Sequence, residues 1–117
     1  MKEDTSEFVP LSTATLHILL SLAGEDRHGY GIMQEVARQS EGQYKLGPGT
    51  LYDNLQKLIE RQMVQPVGRR AGEEDPRRRY YRISLLGKAV LSAEVARLED
   101  VVREAKMRLQ PAKPRRT

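Results

Sequence analysis

The stretch LGPGTLYDNLQKLIERQMV, residues 46 to 64, sets hydrogen-bonding side chains at helical spacing. Stepping about 100° per residue, with Leu51, Leu55, Leu58 and Ile59 turned inward, leaves Thr50, Asp53, Gln56, Lys57 and Glu60 outward. Tyr52 and Arg61 fall at the edges of that face. Such groups suit recognition rather than bond chemistry. Gln56 can pair with an adenine edge or bridge to a phosphate, Asp53 can accept from a cytosine amino group, and Thr50, Tyr52 and Lys57 suit phosphates. Asp53 also suits a second role, as a first-turn carboxylate favouring the positive end of its helix. Gly47 falls at the N-cap and Pro48 at the first helical position, which leaves the amides near Gly49 and Thr50 available to an anion.

A second source of binding chemistry is charge. The chain of 117 residues carries a formal +4 with a pI near 9.6. That charge is uneven. Between Gly68 and Arg82, Arg69, Arg70, Arg77, Arg78, Arg79 and Arg82 stand against Glu73, Glu74 and Asp75, a local +3. Between Arg103 and Thr117, six basic residues stand against Glu104 alone, a local +5, so the remainder is net −4. Patches of this kind suit a polyanion, or else form a solvated surface. Arg69, Arg70, Arg77, Arg78 and Arg79 can reach a phosphate backbone or a minor groove, or they solubilise a loop. Tyr80 alternates onto the side of Arg78 and can stack or donate to a phosphate, whereas Tyr81 is assigned to the core.

The same search finds no catalytic constellation. His17 and His28 are the only histidines, cysteine is absent, and no spaced carboxylate cluster completes a metal site, so both histidines are read as packing or surface residues. Gly42 and Gly47 have the spacing that opens a phosphate loop, but Pro48 replaces its lysine; Gly29 and Gly31 lack the third glycine of a dinucleotide motif. No enzyme, metal or cofactor is expected. No apolar run approaches about 18 residues, and the acidic start MKEDTSEF is unlike a signal peptide, which leads to the expectation of a soluble cytoplasmic protein.

These side chains need elements to hold them. LSTATLHILLSLAG predicts a largely buried helix over about 11 to 23, with Leu11, Thr15, Ile18, Leu19 and Leu22 on one face and Gly24 ending it. EDRHG reads as a polar connector. YGIMQEVARQ predicts a second helix presenting Tyr30, Met33, Val36 and Ala37 inward, and a third runs from Pro48 to about Gln62. Val64 to Val67 and Arg78 to Ile83 predict two strands joined by a charged turn, with Pro66 requiring an edge position. Ser84 caps a last helix that stops at Pro111. In it Leu91, Val95, Leu98, Val102, Ala105 and Leu109 alternate spacings of four and three, the seam of a coiled coil. Either the helix folds back on its own domain, or it pairs with a second copy.

The expected fold is therefore mainly α with a small β-hairpin, in the element order of a winged helix-turn-helix, followed by a long C-terminal dimerisation helix. The parts are an N-terminal arm (1–10), a winged helix-turn-helix (11–83), the dimerisation helix (84–110) and a disordered basic tail (111–117). Three pieces resemble one family, the PadR-like transcriptional regulators: HGYGIMQEV at 28 to 36, LGPGTLYDNLQKLIERQMV at 46 to 64, and RRRYYRISLLGKAVL at 77 to 91. The resemblance spans nearly the whole folded chain, and the single C-terminal helix looks like the smaller PadR subgroup. Gly47 departs from a frequent Ser cap, and Asp53 and Asn54 stand where a proline or basic residue is frequent, which bears on base preference rather than on class.

The resemblance implies a homodimeric repressor with the third helix in the major groove of double-stranded DNA, the hairpin as wing, and release by a small aromatic effector. Phe8 and Tyr44 are the aromatic candidates for an effector pocket, or plain packing. A winged-helix adaptor that docks a protein and ignores duplex DNA is the competing reading, and the basic wing argues against it.

Overall fold

In the computed structural model the described residues are 5–68 and 78–111. Four helices and a three-stranded sheet follow a short 3-10 turn at Ser6–Phe8: α1 (Thr13–Leu22), β1 (Arg27–His28), α2 (Gly29–Gln39), α3 (Pro48–Glu60), β2 (Val64–Val67), β3 (Tyr80–Ile83) and α4 (Leu85–Leu109). The expectations for residues 1–4, for the wing tip at 69–77 and for the tail at 112–117 lie outside the described residues.

Helices α1, α3 and α4 begin as their first residues dictate. The Ser12 hydroxyl accepts from the Thr15 amide at 3.2 Å to cap α1, and the Ser84 hydroxyl accepts from the Gly87 amide at 3.0 Å to cap α4. Helix α3 has no side-chain cap; Gly47 takes the N-cap with extended backbone and Pro48 opens the helix. It closes at Gln62, whose φ of 65° turns the chain into β2. Ile18, Leu19 and Leu22 of α1, Ile32 and Val36 of α2, Leu51, Leu55 and Leu58 of α3, and Val90 and Leu91 of α4 meet in one core with Met63, Val64, Tyr81 and Ile83. At Gly87 a Cβ would overlap the Met63 carbonyl oxygen, so only a glycine lets α4 start this close to the end of α3. Met63 also accepts from the Ser84 amide at 3.0 Å, and the Ser84 hydroxyl donates to Gln62 at 2.6 Å.

Three sequence expectations are corrected. The connector before α2 contributes a strand: Arg27 pairs with Tyr81 and His28 with Tyr80, giving the antiparallel order β1-β3-β2 instead of a two-stranded hairpin. A two-residue strand leaves no alternation to detect. Polar ties fix it, with Arg27 Nε donating to the Ser21 carbonyl at 2.7 Å and Arg82 forking onto Asp26 at 3.1 and 2.8 Å. Pro66 sits in β2 at the sheet edge, the position that the sequence requires for it. Second, α2 is rotated from the predicted stripe: Ile32 and Val36 are buried, while Tyr30 is 58% exposed. Third, Tyr80 is buried like Tyr81 instead of sharing the exposure of Arg78, because the ring of His28 meets it edge-on.

Candidate nucleic-acid interface

Helix α3 separates cleanly into two faces. Leu51, Leu55 and Leu58 are buried, while Thr50, Tyr52, Asp53, Gln56, Lys57, Glu60 and Arg61 are exposed. The first amides of a helix have no intrahelical partner, and Gly49 and Thr50 are exposed, so that end presents donors to solvent. Asp53 and Lys57 pair at 3.4 Å, and Gln56 Nε2 donates to Glu60 at 3.5 Å, contacts between exposed groups that a competing partner can replace at little cost. Asn54 instead faces inward: its amide nitrogen donates to the Thr50 carbonyl at 2.8 Å, and the Thr15 hydroxyl donates to its Oδ1 at 3.3 Å, fixing α3 against α1.

At the base of the wing, Arg78 and Arg79 are exposed; Arg69, Arg70 and Arg77 lie outside the described residues. Tyr80 does not share their exposure. Only 5% of it is accessible and its ring meets His28 edge-on, centroids 5.3 Å apart, so it braces β3 against β1 and offers no face for a base. Tyr81 is also buried; desolvation pushes its hydroxyl pKa up, the proximity of Tyr52 adds to this, and the positive charge of Arg79 opposes it. A recess of about 260 Å³ opens between these elements, bounded by His28, Tyr30, Tyr52, Arg78, Arg79 and Tyr81.

His28, which the sequence marks only as packing or surface, is the N-cap of α2, its Nδ1 accepting from the Gly31 amide at 3.0 Å. The preferred capping types do not include histidine, so no sequence rule signals it. Its neighbour Gly29 has a second function: a Cβ there would overlap the Tyr52 hydroxyl, so the glycine lets α3 close against the start of α2.

The proposed seam on α4 divides into two parts. Leu91 is 8% accessible and belongs to its own domain's core, because the first turns of α4 pack on α1 and β3; it is withdrawn from the free seam. Beyond it, Val95, Val102, Ala105 and Leu109 are exposed and Leu98 is half-buried. Val101 and Met107 are exposed as well. Between the two parts lies a residue that sequence reasoning missed. Glu94 is 1% accessible, with Arg97 Nε and Nη2 donating to its carboxylate at 2.7 and 2.9 Å and the Leu11 amide donating at 3.2 Å. The Arg97 hydrogen bonds lower its pKa, burial works against them, and the Leu11 amide and the Arg97 charge add to the lowering. This buried carboxylate ties Leu11, just before the Ser12 cap of α1, to α4.

Phe8 and Tyr44, the aromatic candidates, both pack against the core; Tyr44 stacks on His17 with centroids 5.1 Å apart. Phe8 also edges a cleft of about 260 Å³ that reaches Lys57 and Arg61 of α3. Among the described residues no group of three or more His, Cys, Asp or Glu could hold a metal ion, and no helix is long and apolar enough to cross a membrane.

A reading helix backed by a leucine core, a wing with a basic base, and a long projecting C-terminal helix define a winged helix-turn-helix protein of the DNA-binding class. The model of the PadR-like family of transcriptional regulators matches residues 18–93, and the chain belongs to that family, whose members are DNA-binding regulators and not enzymes. It is 34% identical over 89 residues to Transcriptional regulator Rv3488 of Mycobacterium tuberculosis, covering 76% of this chain and 78% of that protein. It is 32% identical over 93 residues to an uncharacterized protein of Lysinibacillus sphaericus, covering 74% and 84%. In fold it resembles a PadR family transcription regulator from Clostridium difficile R20291, TM-score 0.71 at 19% identity over 85% of this chain and 100% of that one. The PadR-like transcriptional regulator BC4206 of Bacillus cereus has the same TM-score at 18% identity, covering 84% and 92%.

Proposed function

We propose that this regulator is a repressor that binds a pseudo-palindromic operator as a homodimer. The observation that carries the reading is the split character of α4: its first turns are spent on its own core, and from Glu99 onward every described residue is exposed, apolar positions included. Exposed Val95, Val102 and Leu109 recur every seven residues and ask for a second helix of the same kind. A two-fold pair through α4 would carry two copies of α3, whose half-sites lie about one helical turn, ~34 Å, apart on one face of a duplex.

In each half-site Gln56 and Asp53 face base edges, with Asp53 free to exchange its Lys57 partner for a cytosine amino group. Thr50, Tyr52, Lys57, Arg78 and Arg79 meet phosphates, and Arg69, Arg70 and Arg77 extend the wing's basic stretch. Release by a small aromatic effector has one supporting feature, the cleft beside Phe8, because a molecule there would touch Lys57 and Arg61 of α3 directly. Gel shifts comparing the promoter of the chain's own gene with scrambled duplex test the operator reading. The expected outcome is retention of the promoter at salt that releases the scrambled fragment, and equal retention of both contradicts it.

A further inference from the structure

Helix α4 is held to its domain at two separated points. At its start the Ser84 hydroxyl caps the Gly87 amide, and the close approach of Gly87 to the Met63 carbonyl pins the first turn. The second point is Glu94, roughly 15 Å further along at 1.5 Å per residue. It is the last buried residue of α4 among the described residues; Val95 and Ala96 beside it are exposed, and so is everything described from Glu99 onward. Two points fix the direction of a rod. Apolar packing such as that of Val90 and Leu91 specifies direction weakly, because the hydrophobic effect is itself non-directional. The Glu94 carboxylate is directional: it accepts from the Leu11 amide at 3.2 Å, 83 residues away in sequence, while Arg97 donates to both its oxygens at 2.7 and 2.9 Å. A hydrophobic side chain could fill the same space without desolvating a charge. The charge at this boundary supplies what packing alone does not, a fixed geometry.

That geometry has leverage. From Glu94 to Leu109 the helix runs roughly 22 Å, so a tilt of about 10° moves its far end by about 4 Å, which exceeds the ~3.4 Å rise of one base pair. We propose that Glu94 is a positioning residue for operator recognition, its joint with Leu11 setting the angle at which α4 leaves the domain and thereby the separation of the two α3 helices in the pair. Small changes of spacing in the operator are then rejected, because α4 cannot swing to follow them. The inference rests on the two-fold pairing through α4 and adds to it the residue that makes the pair selective for one spacing.

Fluorescence anisotropy tests it on palindromic duplexes that carry the half-site selected from random sequence, with the two centres moved one base pair at a time. The wild type should bind one spacing best and lose about tenfold or more for a change of one base pair. Glu94→Leu keeps the space filled but removes the acceptor, and its loss for the same change should be under about threefold. Glu94→Gln keeps one acceptor for the Leu11 amide and loses the fork from Arg97, and should fall between. Ile32→Val weakens the core away from α4 and should keep the wild-type profile, which separates positioning from stability. Affinity for a duplex with a single half-site should stay within about twofold in all three, because α3 is untouched. Sedimentation velocity and thermal unfolding confirm that each variant is paired and folded. If Glu94→Leu, or Glu94→Gln should the first not fold, keeps the wild-type spacing profile, the positioning role is wrong and the operator reading stands. If the wild type is monomeric, or binds every spacing alike, the pairing itself is in error and both fall together.

Discussion

Val102 gives a direct handle on self-association. It is 49% exposed in the single chain, so replacing it leaves the fold of the domain intact, and about half of its surface remains for a partner helix to cover. Full burial of a valine is worth about 1.5 kcal/mol, so the remaining half contributes roughly 0.7 kcal/mol, and two-fold symmetry counts it twice. Val102→Ala should then raise the dimer dissociation constant about tenfold. Val102→Asp adds the desolvation of two carboxylates brought near each other, and should raise it by at least about a hundredfold. Sedimentation velocity over a concentration series measures both constants, and circular dichroism checks that the helices persist. Operator affinity should fall in step with dimerisation. Dimer constants unchanged in both variants, or a wild type that stays monomeric at micromolar concentration, would refute the assignment of α4 as the pairing helix.

Three further outcomes follow from the same geometry. The folded-state pKa of Glu94 is lowered, so its contribution to stability is present above its ordinary value near 4.5 and is lost as pH falls through the folded value; thermal unfolding should show stability dropping in that acidic range. Glu94→Gln should cost about 2 kcal/mol at neutral pH and flatten the part of the acid slope that Glu94 supplies, a comparison that separates it from Glu35, also lowered by its hydrogen bonds to Arg38. Gly87→Ala should destabilise by about 1–3 kcal/mol despite the better helix propensity of alanine, because the backbone carbonyl of Met63 has no room to move away; denaturant titration measures it, and an unchanged midpoint contradicts the close approach. Lys57→Ala should weaken binding to all duplexes alike and reduce the salt slope by about 1, whereas Gln56→Ala should relax preference at one base position; the reverse assignment would exchange their roles on α3.

The parts of this fold that can be read from sequence are those in which one strong pattern governs a long element. Leu51, Leu55, Leu58 and Ile59 orient α3, and Tyr52, Asp53, Gln56 and Lys57 between them are exposed as that stripe requires, while Asn54 turns toward α1. Helix α4 itself is legible from its cap and apolar spacing, though not which positions its own core takes: Leu91 and Val95 look alike in sequence, and only the packing of α1 and β3 assigns the first to the core. What cannot be read depends on contacts between distant segments. Strand β1 exists because Tyr80 and Tyr81 arrive beside it from more than fifty residues away. That pairing brings the ring of His28 over Tyr80, so the residue is buried although it alternates onto the side of Arg78. Glu94 looks like an ordinary surface carboxylate, and is buried because the Leu11 amide closes over it. The outward turn of Tyr30 follows from Ile32 and Val36 taking the buried face of α2, since Tyr30 lies two residues, about 200°, from Ile32.

Selection of bound sequences from a pool of random duplexes tests the central claim most directly, because the protein itself chooses the operator. The account predicts enrichment of two inverted half-sites with centres about one helical turn, ~34 Å, apart. Enrichment of a single unpaired site, or of no sequence at all, would contradict a two-fold pair of α3 helices reading one face of the duplex.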